Sequence, residues 1–296
     1  MLRANSLYNP IEIFPMRLTT QRHDRDNAGM TYVYPVVSRR AQGVSIGINL
    51  NPNNACNWRC IYCQVPDLKL GKGPTIDLAL LSEELDELLE SVVNGDFMES
   101  QVPEGSRRLN DIAYSGNGEP TSSPQFAEAI TIGLDALKRF DLSPTVKPIV
   151  ITNGSVIRNP GILDAISKLG AAGGETWFKL DRVTAAGIAE INSTAIDPDR
   201  QLENLRLTAG ACSTWIQTCM LARDGEPPAE SELNAYLDCL RKLVEDGTPL
   251  QGVLLYGLER QSHQPEASQI SALPSEWLIQ FGQQIEDCGL TARVHP

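Results

Sequence analysis

Three cysteines crowd into eight residues as Cys56-Asn-Trp-Arg-Cys60-Ile-Tyr-Cys63. On a chain that must turn, thiolates at this spacing converge on one region. Soft anionic sulfur suits zinc or an iron–sulfur cluster, and packing thiols are the chemically silent alternative. Zinc calls for a fourth ligand at comparable spacing. The nearest histidine in sequence is His23, well upstream, and no second Cys-x-x-Cys occurs. Three ligands are what a 4Fe–4S cluster needs when its fourth iron stays open for a substrate or cofactor.

A second stretch, Ser115-Gly-Asn-Gly-Glu-Pro120-Thr121, is rich in turn formers. As a plain turn, its glycines supply unusual φ and its proline blocks strand continuation. That reading leaves the acid at Glu119 without a reason. As a binding turn, the glycines allow close backbone approach to a ligand and Glu119 offers a charge partner.

Both stretches need elements to position them. Gly43–Leu50 alternates like a strand and ends in Asn51-Pro52-Asn53-Asn54, a loop signal, just before the cysteines. Leu78–Val93 has helical spacing and stops at Asn94-Gly95. Asp111–Ser115 is a strand running into the glycine turn, and Pro124–Phe140 a helix that Ser122 or Ser123 can cap. The pattern repeats with strands at Pro148–Thr152, Thr176–Leu180, Ser213–Leu221 and Gly252–Tyr256, and a short one at Leu290–Val294. Helices are expected between them at Pro160–Leu169, Ala185–Ile191, Pro198–Leu207, Glu230–Glu245 and Pro274–Cys288. Strands separated by such helices imply βαβ units and a parallel sheet. An α/β fold follows, either an open doubly wound sheet or a partial TIM-type barrel. In both, reactive groups gather at the C-terminal ends of the strands. Residues 1–43 show little periodicity and read as an N-terminal arm or cap, with 44–296 as the core domain.

The cysteine spacing, with Tyr62 before the last cysteine and a first strand before the loop, resembles the signature of the radical S-adenosylmethionine (radical SAM) superfamily. The Gly-Gly-Glu-like turn after the second strand matches that family's second motif. The resemblance implies a partial (βα)6 TIM-type barrel with parallel strands. It also implies a 4Fe–4S cluster on Cys56, Cys60 and Cys63, whose open iron chelates S-adenosylmethionine. One electron then cleaves the sulfonium bond and gives a 5′-deoxyadenosyl radical. Carried onto this chain, Gly116, Asn117, Gly118, Glu119 and Pro120 bind the cofactor's amino group. Asn153, Lys179 and Asp181 make polar contacts to its ribose or carboxylate. Tyr62, together with the strand Gly252–Leu258, contacts adenine. The family's Gly-x-Ile-x-Gly pattern has no counterpart in Trp215–Cys219. A reducing partner such as flavodoxin or ferredoxin is implied.

Further stretches resemble the wyosine-synthase-like branch, whose best-known members rebuild a modified guanine in tRNA. They are Gly47–Pro52, Cys60–Gln64, Gly118–Thr121, Thr152–Ser155 and Phe178–Asp181. Two departures stand against carrying the substrate over. No cysteine precedes Cys56, whereas the archaeal enzymes use an N-terminal set for a second cluster. The chain is also acidic, with net charge −12, and lacks the basic face expected of a tRNA binder. The remaining expectations are an enzyme acting on a small molecule or peptide, or a non-catalytic iron–sulfur or zinc protein.

The acidic charge argues against broad nucleic-acid binding, which draws on many Lys and Arg contacts to phosphate. Residues 1–43 differ, with six arginines against three acids, and Arg17, Arg22, Arg25, Arg39 and Arg40 could form a local basic patch. No apolar run reaches the ~18–20 residues of a membrane span, and Asn5, Asn9, Pro10 and Glu12 break any secretory h-region. A cytoplasmic location is the expectation. Cys212 and Cys219 fall on opposite faces of one strand, and Cys239 sits in an apolar helix beside Leu240. A second cluster is therefore not expected. His263 and His295 read as solvated.

Overall fold

The computed structural model describes residues 18–19, 29–38 and 43–296. In chain order its strands are β1 (Val33–Ser38), β2 (Gly43–Ile48), β3 (Ala55–Cys56), β4 (Lys69–Leu70), β5 (Leu109–Tyr114), β6 (Lys147–Thr152), β7 (Glu175–Lys179), β8 (Ser213–Cys219), β9 (Ala222–Arg223), β10 (Leu250–Tyr256), β11 (Ile270–Ser271) and β12 (Ala292–His295). The α-helices are α1 (Leu78–Val93), α2 (Phe97–Gln101), α3 (Phe126–Arg139), α4 (Pro160–Ala171), α5 (Ala185–Asn192), α6 (Pro198–Ala211), α7 (Glu230–Glu245) and α8 (Ser275–Glu286).

Eight strands form one sheet in the order β1-β2-β5-β6-β7-β8-β10-β12. From β2 onward every pair is parallel, while β1 joins β2 antiparallel. The order follows the chain and never reverses. A doubly wound sheet must reverse at a switch point, so this sheet is the other expected form, a curled part-barrel with its helices outside. The six strands β2 to β10 are the (βα)6 unit, with β12 added at one edge and β1 at the other.

β1 lies inside the stretch read as an irregular arm. Its alternation works as a strand: Val33 and Val37 join the hydrophobic core, whereas Tyr34, Val36 and Ser38 face the barrel cavity. The five arginines of the suggested basic patch lie outside the described residues.

Period two runs through the whole sheet. Val44, Ile46, Ile48, Ile112 and Val150 pack outward with α1, α3 and α4. Ile216, Val253 and Leu255 pack with α7 and α8 in a second cluster. Each such side chain fully buried contributes about 1.5–3 kcal/mol. The inward positions are different in kind: Ser45, Asp111, Trp177, Lys179 and Gln217 line a hollow.

Local signals set the helix starts. Asp77 accepts from the amides of Ala79 and Leu80 and begins α1. Asn159-Pro160 and Asp197-Pro198 combine a cap with proline in the first turn of α4 and α6. Helix α3 departs from expectation by starting at Phe126, with no side-chain cap. A 3₁₀ turn at Pro120–Ser122 intervenes, and the Ser122 hydroxyl closes it by donating to the Glu119 carbonyl at 2.7 Å. No helix among the described residues is long and apolar enough to cross a membrane.

Candidate cofactor site

The inward side chains and the loops at the C-terminal strand ends enclose a cavity of about 360 Å³. Cys56, Cys60 and Cys63 all line it. The loop that carries them is held from two sides. The amides of Arg59 and Ile61 donate to the carbonyls of Asn192 (3.2 Å) and Ile191 (2.9 Å), at the end of α5. On the other side, the Ser262 hydroxyl reaches the Ile61 carbonyl at 2.7 Å. The His263 amide donates to the Cys63 carbonyl at 2.9 Å, and the Gln264 amide group to the Val65 carbonyl at 3.1 Å. Arg59 adds a two-pronged ion pair with Glu266 at 2.6 and 2.8 Å. That hydrogen-bonded pairing holds the Glu266 carboxyl below its ordinary range.

The glycine turn packs directly against the cysteine loop. A Cβ on Gly118 would stand 2.0 Å from the Ala55 carbonyl oxygen, and one on Gly116 2.3 Å from Asn49 Oδ1. Here the glycines serve the close approach of one loop to the other. Asn49 Oδ1 ties the two by accepting from the amides of Asn51 and Asn117, each at 3.0 Å. The Asn51 side chain donates to the Ala55 carbonyl at 2.9 Å, and the Asn117 side chain to Asn54 Oδ1 at 2.7 Å. Gly116, Gly118 and Glu119 face the cavity, whereas Asn117 and Pro120 do not line it. Asn117 takes part in the loop contact and Pro120 in the 3₁₀ turn.

Glu119 is buried and strongly bonded. Its Oε1 accepts from the Thr121 amide (3.1 Å), the Thr121 hydroxyl (2.5 Å) and the Thr152 hydroxyl (2.5 Å). Its Oε2 accepts from the Asn153 amide at 2.7 Å. Burial raises the carboxyl above its usual range, with these four bonds pulling the other way. The two threonines tie Gly118–Thr121 to Thr152–Ser155, since both stretches hold one carboxylate. The Asn153 side chain reaches back to the cysteine loop, donating to Asn57 Oδ1 at 2.9 Å.

Across the cavity, Lys179 donates to the Tyr256 hydroxyl at 3.0 Å and sits 5.0 Å above the Tyr62 ring. Burial opposes its charge, but the neighbouring Tyr256 hydroxyl and Asp181 carboxylate outweigh burial and raise its pKa above the ordinary lysine range. Asp181, expected to touch cofactor, does not line the cavity. Its carboxylate accepts from the Tyr62 hydroxyl (2.5 Å), the Asn192 side chain (2.7 Å) and the Cys219 amide (2.8 Å). It is a buried hub that fixes Tyr62 and the strand end. Asn192 also donates to the Cys60 sulfur at 3.2 Å.

Burial pushes the Cys56 thiol up to about 12 and the Cys60 thiol up to about 11. Bare, these thiols keep their protons, and a metal that binds them must displace those protons. Among the described residues, no three His, Cys, Asp or Glu side chains converge as ligands of a single ion. In a 4Fe–4S cluster each thiolate binds a separate iron. Cys56, Cys60 and Cys63 all line the cavity, and thiolates are the donors such a cluster takes. Cys212 and Cys288 are buried away from that wall, with sulfurs toward the carbonyls of Gly174 (3.5 Å) and Gln284 (3.2 Å). Cys219, by contrast, does line the cavity. Asn192 was not singled out from sequence, while Asn49, Asn51, Thr152 and Tyr256 lay in stretches read as motifs or strand without a role of their own. Asn192 bonds a sulfur 132 residues away, and Tyr256 a lysine 77 residues away.

No family model matches the sequence. A 123-residue stretch is 29% identical to the GTPase Obg of Brachyspira hyodysenteriae, covering 42% of this chain and 15% of that protein. A 168-residue stretch is 27% identical to UPF0026 protein MJ1312 of Methanocaldococcus jannaschii, covering 55% of this chain and 44% of that one. The matches thus span less than half of either relative. Among solved structures, a radical SAM methyltransferase from Sphaerobacter thermophilus aligns with TM-score 0.57 and 16% identity, over 86% of this chain and 66% of that chain. TYW1 with a lysine–pyruvate adduct bound aligns with TM-score 0.53 and 15% identity, over 85% and 74%. At such identities the likeness is one of fold. The chain has the fold of the radical SAM enzymes.

Proposed function

We propose that this chain is a radical SAM enzyme, with a cluster on Cys56, Cys60 and Cys63 and S-adenosylmethionine in the adjoining cavity. One observation carries this reading: the cysteine loop and the Glu119 turn, signatures of two separate functions, are locked together and open on one hollow. When bound, the cluster supplies one electron that cleaves the sulfonium bond and yields a 5′-deoxyadenosyl radical.

The chain's own residues would do the rest. Glu119, fixed by four donors, presents a rigid acceptor to the cofactor's ammonium. Lys179, kept protonated, suits a carboxylate or another anionic oxygen rather than a role as amine nucleophile. Tyr62 and Tyr256 give the same region aromatic faces. A flavodoxin or ferredoxin is the proposed electron donor.

The wyosine-synthase-like motifs make a tRNA base the most concrete substrate. The net charge of −12 favours the second reading, a small molecule or peptide. Anaerobic reconstitution with iron and sulfide tests the chemistry. The expected result is a 4Fe–4S spectrum and reductant-dependent 5′-deoxyadenosine; stoichiometric zinc with no such product would sink the enzyme reading. Mass spectrometry of tRNA nucleosides after incubation then separates the substrates. An unchanged profile with an active cluster rules against tRNA.

A further inference from the structure

The cavity runs inward from the cluster loop along the barrel interior, and a carboxylate stands deep inside it. Asp111, on β5, is only 5% exposed and lines the hollow together with Ser45. It lies four residues before Ser115, where the glycine turn begins, so it sits about 13 Å deeper along the strand at ~3.3 Å per residue. We infer that Asp111, oriented by Ser45, is the recognition point for a cationic nitrogen group of the substrate: an ammonium, amidinium or guanidinium. This assignment rests on the proposed radical SAM reading for what happens at the cavity's other end.

Its surroundings carry the inference. The Ser45 hydroxyl donates to Asp111 Oδ1, and among the described residues it is the one side chain bonded to this carboxylate. The strand neighbour in register on β6 is Lys147, yet its ammonium pairs with Glu175 instead. A carboxylate buried without a cation is costly. A packing role would be met as well by an amide or an apolar side chain, and neither the core nor the sheet hydrogen bonds call for an acid here. The same burial pushes the Asp111 carboxyl up to about 6, as expected for a carboxylate still lacking a counter-charge. A cation delivered by a ligand would supply it in a setting where charge-assisted hydrogen bonds are strongest. The same hollow is lined by Trp177 and Tyr34, apolar surface suited to the body of such a molecule.

The test uses the full chain, anaerobically reconstituted, with methylguanidinium and methylammonium as probes and acetate as control. Thermal shift and titration calorimetry at constant ionic strength should show saturable binding of the cations and none of acetate. Asp111→Asn should weaken cation binding at least tenfold while circular dichroism stays native. Should that variant misfold, Asp111→Ser serves in its place. Equal cation binding by a folded variant, no saturable cation binding by wild type, or binding of acetate would each overturn the assignment. 5′-Deoxyadenosine formation by the wild-type chain is measured separately. A chain that binds the cations but forms none of that product loses the proposed chemistry and keeps this site; the reverse result removes this site alone.

Discussion

The mouth and the floor of the barrel treat a buried carboxylate in opposite ways. At the mouth, Glu119 has four donors and Asp181 three, all from the chain itself. At the floor, Asp111 has a single hydroxyl among the described residues. The mouth is therefore built in advance, with its groups held in place before any ligand arrives, which is how a site lowers the cost of binding. The floor keeps acceptor capacity in reserve. One end would serve a cofactor of fixed shape, the other a substrate that must be told from its competitors.

The largest effect that would test this contrast is at the proposed metal ligands. Replacing Cys56, Cys60 or Cys63 by alanine should lower 5′-deoxyadenosine formation more than ~100-fold, with iron and sulfide content falling in parallel. A variant that keeps its cluster would remove that cysteine from the ligand set.

Next is the seam between the two mouth loops. Gly118→Ala drives a methyl into the Ala55 carbonyl at 2.0 Å, and overpacking of this kind costs about 1–3 kcal/mol. Urea denaturation should show that loss, and cluster uptake should fall with it because Cys56 follows Ala55 directly. Unchanged stability would mean that the loops separate easily.

At the floor, the sign reverses. Asp111 has its carboxyl raised from 3.8 to about 6 by burial, so the folded chain binds a proton more readily than the unfolded one. Below the unfolded value both states are protonated and nothing is lost. Between about 4 and 6 stability declines as pH rises, and above that the full penalty remains. Asp111→Asn should thus stabilise the chain at pH 7.5, by up to about 3 kcal/mol for a carboxyl raised from 3.8 to about 6, with the gain vanishing near pH 3. A destabilised variant at neutral pH would place a hidden cation beside Asp111.

Thr152→Val removes one of four donors to Glu119 and should cost about 1 kcal/mol, with a severalfold weaker binding of S-adenosylmethionine by equilibrium dialysis. The smallest effect is at the clasp. Glu266→Gln breaks a partly exposed pair with Arg59 and should cost less than about 1 kcal/mol. Since Arg59 lowers the Glu266 carboxyl, that contribution is present above the unfolded carboxyl value and fades as pH falls through the folded one.

Much of the frame was legible because it depends on short-range signals. Helices α1 and α7 begin and end where their apolar spacing does, and the cysteine and glycine stretches announce themselves by composition. What escaped depends on distance along the chain. Asp111 reads as the first residue of a strand until Ser45, 66 residues earlier, is set beside it. Nothing local to Asp181 shows that the Tyr62 hydroxyl, 119 residues away, donates to it. Helix α3 starts late because Glu119 caps a 3₁₀ turn ahead of it, a role that no local propensity separates from a binding acid. β1 was hidden because its stretch is broken by Pro35 and gains strand character only from pairing with β2.

The clasp around the cysteine loop has a consequence for synthesis. All three cysteines leave the ribosome in the first quarter of the chain, but the Ser262 hydroxyl that holds the Ile61 carbonyl comes 201 residues later. Contacts of such separation form late in folding. A nascent chain stopped before β10 would already carry Cys56, Cys60 and Cys63 and lack the frame that seats them. Cofactor loading would then belong to the finished protein, and truncated products would emerge with reactive thiols and no cluster to occupy them.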